Sequence, residues 1–391
     1  MPARSIFVAN KQQYRLDSNK LPSLILLQAD IAYDNTHANT REATVQDIVR
    51  CVGTRTVAIG IALGLALDVV CAPVPHAQAQ NFILGYSTAF LQDSFEVAQA
   101  DSVIASARKA GLKTLPVANA NGDPGKQITD FHNLIAEGAR GILFVARDSE
   151  AIVPALDFAA TKAVPAVSID MGPAGGKVAM VVRADNIRMG EDACKLTGKA
   201  LGGKGSVLSL MGDQATVNGR DRTSGFATCM KKDFPDIKLI ERPTYWETDK
   251  ATSIAQTVVT STPDLGAIYM QSDGVMLSGV LNVLKSAGKL KPIGDPHHIF
   301  LVSIDGTPLA MRKIRENLLD AAISQPLNLY VKWGLYYLRN AIAGKHFTPG
   351  PTDHNSRIEI VDGNPMDLLS APIVTRANVD DANLWANAAK S

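Results

Sequence analysis

Polar side chains that could bind a small molecule recur at the ends of apolar runs in this chain. Asp170 closes Val-Pro-Ala-Val-Ser-Ile-Asp, and Asp305 closes Ile-Phe-Leu-Val-Ser-Ile-Asp. Ser87, Arg147 and Asp213 sit at comparable places, as do Ser272 and Asp273 in Gln-Ser-Asp and Gln325 in Ser-Gln-Pro. Carboxylates and guanidinium groups exchange bidentate, charge-assisted hydrogen bonds. Aromatic faces nearby in the sequence, Phe90, Phe95 and Trp246, can stack on apolar C–H surfaces. This chemistry holds a molecule without making or breaking bonds. There is no Gly-x-Ser-x-Gly, phosphate loop, His-Glu-x-x-His or kinase set, so no catalytic residue is assigned and no enzyme is expected.

The elements that must position these groups alternate. Apolar runs begin at Phe82, Leu112, Gly141, Val164 and Lys177, and a second set begins at Gly205, Ile237, Leu265, Ile299 and Asp320. Stretches of helical periodicity separate them. Continuous apolar strands alternating with amphipathic helices predict parallel sheets covered on both faces, an α/β doubly wound architecture. The pattern restarts at Gly205, which predicts two similar lobes. Ligands of such sheets bind beyond the carboxyl ends of the strands, where the polar residues named above lie.

The 391 residues carry 39 Lys and Arg against 38 Asp and Glu, a net charge of +1. That balance argues against a nucleic-acid partner, which selects a basic excess. Residues 56–70 read TVAIGIALGLALDVV, preceded by Arg50 and Arg55 and followed by Ala77-Gln78-Ala79. A basic flank, a short apolar stretch and an Ala-x-Ala site form the pattern of a secretory signal peptide, with cleavage expected after Ala79 and a periplasmic destination. A signal peptide belongs at the N-terminus, so residues 1–48 are expected to precede the true translation start, with Val45, Val49 or Val52 as alternatives, or to form a leader.

Several short motifs occur in a fixed order. They are Asp93-Ser94-Phe95, Ser168-Ile169-Asp170, Arg183-Ala184-Asp185-Asn186, Asn218-Gly219-Arg220-Asp221-Arg222 and Tyr245-Trp246, then Gln271-Ser272-Asp273, Ser303-Ile304-Asp305-Gly306-Thr307-Pro308 and Ser324-Gln325-Pro326. In this order, over about residues 82–345, the chain resembles the ribose-binding-like branch of type I periplasmic sugar-binding proteins, the receptors of ABC importers. The resemblance implies two lobes joined by a three-strand hinge. It places residues 80–184 plus 326–350 in the N-terminal lobe and 185–325 plus 351–391 in the C-terminal lobe. It implies a monomer without cofactor or metal, binding a small neutral sugar or polyol and docking on ABC permease subunits. A periplasmic sugar sensor feeding a chemoreceptor or histidine kinase is the alternative. A LacI-like regulator would need a helix-turn-helix that residues 1–79 do not offer.

By the same resemblance Phe95 stacks on the sugar with Phe90 beside it, and Asp93 and Asp170 bind hydroxyls. Arg222, contested by Arg220, Trp246, Ser272, Asp273, Asp305 and Gln325 complete the expected contacts, with Arg147 a further candidate. Glu96 stands where the family often has a second aromatic, which weakens stacking on that side, and Met171 and Ser272 replace family polar groups, which argues against simple ribose specificity. Taken singly, Asp305 before Gly-Thr-Pro reads as a helix cap, Phe95 as a core residue and the two arginines as a solvated helix start. Cys194 and Cys229 lie on two predicted helices of the second lobe. The sequence leaves a bridge between them open.

Overall fold

The structure is a computed structural model that describes residues 82–388. The leader and signal peptide expected over residues 1–79 lie outside the described residues.

The first half of the chain runs through β1 (Ile83–Thr88), α1 (Ser94–Lys109), β2 (Lys113–Thr114), β3 (Ala118–Asn119), α2 (Pro124–Ala136), β4 (Gly141–Phe144), α3 (Val153–Thr161), β5 (Ala166–Ile169) and β6 (Met180–Ala184). Next come α4 (Asn186–Ala200), β7 (Gly205–Met211), α5 (Val217–Asp233), β8 (Ile237–Pro243), α6 (Thr248–Ser261), β9 (Leu265–Met270), α7 (Asp273–Ser286), β10 (Phe300–Asp305), α8 (Pro308–Arg315) and β11 (Ala321–Ser324). The chain then forms α9 (Leu327–Ile342), β12 (Gly350–Pro351), β13 (Arg357–Val361), β14 (Asn364–Leu369), β15 (Ile373–Val374) and α10 (Trp385–Ala388).

These strands form two sheets and hence two lobes. The first has the order β12-β13-β14-β6-β5-β4-β1-β2, with β3 also on β1, and the second has the order β15-β11-β10-β9-β7-β8. The central pairs of both are parallel. Every residue of β4, β5 and β6 is buried, because helices cover both faces and only continuous apolar runs suit such strands. The strand order reverses between β1 and β4 in one sheet and between β7 and β9 in the other. At such switch points the connections diverge and leave a crevice at the carboxyl ends.

Capping side chains start helices at those ends. Asp93, Asp123, Asp185, Thr216, Ser272 and Thr307 each accept from backbone N–H groups of a first helical turn. Helices α4 and α5 approach so closely that a Cβ on Gly190 would stand 2.5 Å from the Arg222 carbonyl oxygen, and one on Gly225 would stand 2.1 Å from that of Ile187. Cys194 and Cys229 join the same two helices in a disulfide, with Cα atoms 6.2 Å apart. The pair of helices thereby fixes the start of α5, which carries Asn218 and Arg222.

The chain passes between the sheets three times, from β6 to α4, from β11 to α9 and from β14 to β15. The third passage corrects the expected lobe boundary. Residues after 350 do not all join the second lobe: β14 pairs with β6 in the first sheet and β15 with β11 in the second. The physical reason is a hairpin. Asp362 and Gly363, with φ of 50° and 79°, form a two-residue turn between β13 and β14, the conformation that Asp-Gly favours in tight hairpins.

Candidate ligand-binding site

The carboxyl ends of the two sheets face each other across a small cavity. From the first lobe, Asp93 turns its carboxylate into the start of α1. Its Oδ1 accepts from the backbone nitrogens of Phe95 at 2.8 Å and Glu96 at 2.9 Å. This cap orients Phe95 and Glu96 toward the cavity, which Phe90 also lines. The Phe95 ring meets the edge of Trp385 at 5.6 Å between centroids. Asp170 ends β5 with φ of 62°, and Met171 follows it into the wall.

From the second lobe, Asn218 and Arg222 project from one face of α5, one helical turn apart. Asn218 donates to Asp170 Oδ1 at 2.8 Å, across the cleft. The Arg222 guanidinium is 2% exposed. Its Nε donates to Asn186 Oδ1 at 2.7 Å and its Nη1 to the Gln271 carbonyl oxygen at 2.6 Å, while Asp305 Oδ1 lies 3.7 Å from Nη1. Its Nη2 is buried and has no hydrogen-bond partner among the described residues. Trp246 and Tyr245 both adopt left-handed φ, 60° and 58°, which is uncommon for bulky residues. That strained turn lays the Trp246 indole on Gly212, where any Cβ would collide with the ring at 1.9 Å. The ring also faces the Arg222 guanidinium at 5.9 Å.

Asp305 is held at φ of 105° at the end of β10. Its Oδ2 accepts from the Ser272 hydroxyl at 2.6 Å and its Oδ1 from Gln325 Nε2 at 3.0 Å. Gln325 Oε1 accepts from the Tyr330 hydroxyl at 2.8 Å, whose oxygen accepts from the Ala184 backbone nitrogen at 3.0 Å. One hydrogen-bonded chain therefore links Asp305 to two of the three passages between the sheets.

Of the eleven residues singled out from the sequence, nine line this cavity: Phe90, Asp93, Phe95, Asp170, Arg222, Trp246, Ser272, Asp305 and Gln325. Two do not. Asp273 accepts from Ser303 Oγ at 2.9 Å and from the backbone nitrogens of Gly306 at 2.9 Å and Thr307 at 3.0 Å, so it braces the turn that presents Asp305. Arg147 instead pairs with Asp213 of the opposite lobe at 2.8 Å. Arg220 donates to the Gln214 carbonyl oxygen, which leaves Arg222 as the cleft arginine. The helix cap expected of Asp305 is made by Thr307. The residues missed are Glu96, Met171, Asn218 and Val275. The Asn218 to Arg222 spacing was the available signal for Asn218.

Burial sets the electrostatics. It pushes the Asp93 carboxyl up to about 7 and the Asp170 carboxyl up to about 6, despite Arg222. Burial likewise raises Asp305, against the pull of Arg222, and holds Glu96 well above the usual carboxylate range, where the neighbouring carboxylates of Asp93, Asp170 and Asp305 add to the effect. The lobes also meet directly around the cavity. Val217 donates its N–H to Ser149 Oγ, Ser149 donates its own to the Ala215 carbonyl oxygen, and Arg183 reaches Asn218 and Asp221. Among the described residues no group of three His, Cys, Asp or Glu is arranged to hold a metal ion.

The periplasmic binding protein domain family matches residues 84–346. The ribose import binding protein of Bacillus subtilis is 27% identical over 302 residues, 74% of this chain and 94% of that protein. The D-apiose import binding protein of Paraburkholderia graminis is 26% identical over 330 residues, 83% of this chain and 97% of the relative. A crystal structure of an ABC transporter solute-binding protein from Mycobacterium smegmatis, with bound glycerol, superposes with a TM-score of 0.67 at 24% identity, covering 77% of this chain and 96% of its own. A two-lobed fold, a polar cleft at the switch points of both sheets and a family match over most of the described residues agree: the chain belongs to the periplasmic binding protein domain family.

Proposed function

We propose that the protein is an exported receptor, cleaved after Ala79, that captures a monosaccharide or sugar alcohol between its lobes and delivers it, as a monomer, to an ABC importer. The relatives that import ribose and D-apiose support this solute class. So does the lining of the cavity, which sets carboxylates and a guanidinium beside the aromatic residues Phe90, Phe95 and Trp246.

The observation that carries the reading is Arg222 Nη2, a buried cationic donor in the cleft wall without an acceptor. Buried donors are almost always paired. A ligand hydroxyl or ring oxygen supplies the missing acceptor, and its hydroxyl hydrogens go to Asp170 and Asp305. Phe90, Phe95 and Trp246 cover the C–H faces, while Asp93, Ser272 and Gln325 border the remaining hydroxyls. Contacts made only when both lobes touch the ligand favour the closed form, which the permease reads.

A thermal-shift screen of the purified protein, refolded from denaturant to strip any carried solute, tests this with pentoses, hexoses and polyols. A ligand that binds only the folded state raises the melting temperature. Substituting Arg222→Lys keeps the charge and removes the planar fork, so affinity falls by about 30-fold or more, the usual cost of breaking a buried charged contact. Unchanged affinity in that variant, measured by calorimetry, refutes the assignment.

A further inference from the structure

Glu96 makes the cleft more acidic than a receptor for a neutral solute needs. Its side chain is 2% exposed and lines the cavity. Its hydrogen bond comes from the Thr88 hydroxyl at 2.8 Å, and the charges that act on it are the carboxylates of Asp93, Asp170 and Asp305. The other three acids have stronger support. Asp93 caps a helix, Asp170 accepts from Asn218 with two arginines in its field, and Asp305 faces Arg222. Four carboxylates thus line a space in which one guanidinium, Arg222, supplies the positive charge.

A cationic ligand would draw these raised carboxyls into their charged form and gain an attraction that a neutral ligand does not. A bare metal ion is a poor fit, because the acids are spread along the wall instead of converging. The aromatic faces of Phe90 and Phe95 on the same lobe favour an organic cation, since the negative face of an aromatic ring attracts ammonium groups. The unpartnered Arg222 Nη2 opposite them still requires an oxygen acceptor. We infer that the solute is a polyhydroxylated compound carrying a protonated amine, an amino polyol or amino sugar. Its ammonium faces Glu96, Asp93 and Asp170, and its hydroxyls face Arg222 and Asp305. This inference rests on the sugar-receptor reading and narrows it.

Calorimetry on matched pairs separates the two: glucitol against 1-amino-1-deoxyglucitol, glucose against 2-amino-2-deoxyglucose, and myo-inositol against an amino-deoxyinositol. The amine binds about ten-fold or more tightly than its neutral partner in at least one pair, the scale of one charge-assisted contact. The isosteric Glu96→Gln variant brings the ratio of the two affinities close to one, whatever it does to either affinity alone. Equal or tighter binding of the neutral member in every pair that binds overturns the amine and leaves the sugar-receptor reading standing. Binding of neither member of any pair, while the screen of pentoses, hexoses and polyols finds a neutral solute, overturns the amine alone; no binding in either set overturns both. The pairwise comparison on the unsubstituted protein decides the matter even where the variant folds poorly.

Discussion

Asp305 in the cleft and Asp367 on β14 are both buried carboxylates at the edge of a lobe, and their surroundings differ in one respect. Asp367 is fully enclosed. It accepts from the Tyr337 hydroxyl at 2.9 Å and from Ser356 Oγ, and His354 Nε2 lies 2.9 Å away. The His354 ring lies flat on Trp333, with 3.6 Å between centroids. Three partners from the hairpin and from α9 surround the carboxylate, and side chains fill the space. Asp305 is as deeply buried and also has partners, but the guanidinium beside it keeps an unused donor, and a cavity lies in front of both. Folding has completed one polar cluster with the chain's own atoms and has left the other short. Burial alone does not mark a binding site; an uncompleted set of buried polar atoms does.

The comparison breaks most readily at Asp367. Asp367→Ala leaves the Tyr337, Ser356 and His354 groups without their acceptor beneath the hairpin, which costs about 2–5 kcal/mol of stability. The melting temperature should drop clearly while ligand affinity, measured below the new transition, stays within about two-fold, since distant sites act independently. A parallel collapse of affinity would join the two regions through α9, which carries Tyr330 as well as Trp333 and Tyr337, and the contrast would fail.

The same contrast shows what the sequence could and could not reveal. The strands of both sheets read directly as apolar runs, because burial on both faces leaves no other composition. Their carboxyl ends pointed to Asp170, Ser272, Asp305 and Gln325 for the same reason. Asp273 was indistinguishable from Ser272 in sequence. Which of two neighbouring side chains faces the cavity is set by the left-handed turn at Asp305 and Gly306, after which the N–H groups of Gly306 and Thr307 point to Asp273. Glu96 reads as a polar residue in a first helical turn, and only the packing of the lobes encloses it. The Asp362-Gly363 hairpin carried a local signal, Asp-Gly between short strands, that the reading of the sequence did not use. Its placement beside β6 carried no such signal, because strand partners so far apart in sequence are chosen by tertiary packing.

A smaller effect sharpens the contrast from the cleft side. An unfolded aspartate ionises near pH 4. In the folded protein burial pushes Asp170 up to about 6 and both Asp93 and Asp273 up to about 7, and it raises Asp305 and Glu96 as well. Across that interval the folded state holds more protons than the unfolded state, so stability falls as pH rises. The melting temperature of the ligand-free protein should therefore decline between about pH 4 and about pH 7. Asp93→Asn, which preserves the helix cap, should flatten the decline. A melting temperature that stays level or climbs over this range would show that the cleft carboxylates are compensated from within, like the cluster around Asp367.

The smallest expected effect concerns Arg147 and Asp213, which meet at 2.8 Å across the lobes, the arginine keeping some contact with solvent and the aspartate buried. An ion pair in contact with solvent contributes about 0–1 kcal/mol and is weakened by salt. The bonds from Asn218 to Asp170 and between Ser149 and the start of α5 still join the lobes when it is removed. Arg147→Met should therefore weaken ligand binding by less than about ten-fold. It should also lessen the dependence of affinity on ionic strength, because the screened pair is gone. Calorimetry at low and high salt on both proteins reads the two effects together. A loss as large as that of Arg222→Lys, and independent of salt, would mean that Arg147 reaches the ligand itself. The set of residues that fill the cleft would then extend to the rim.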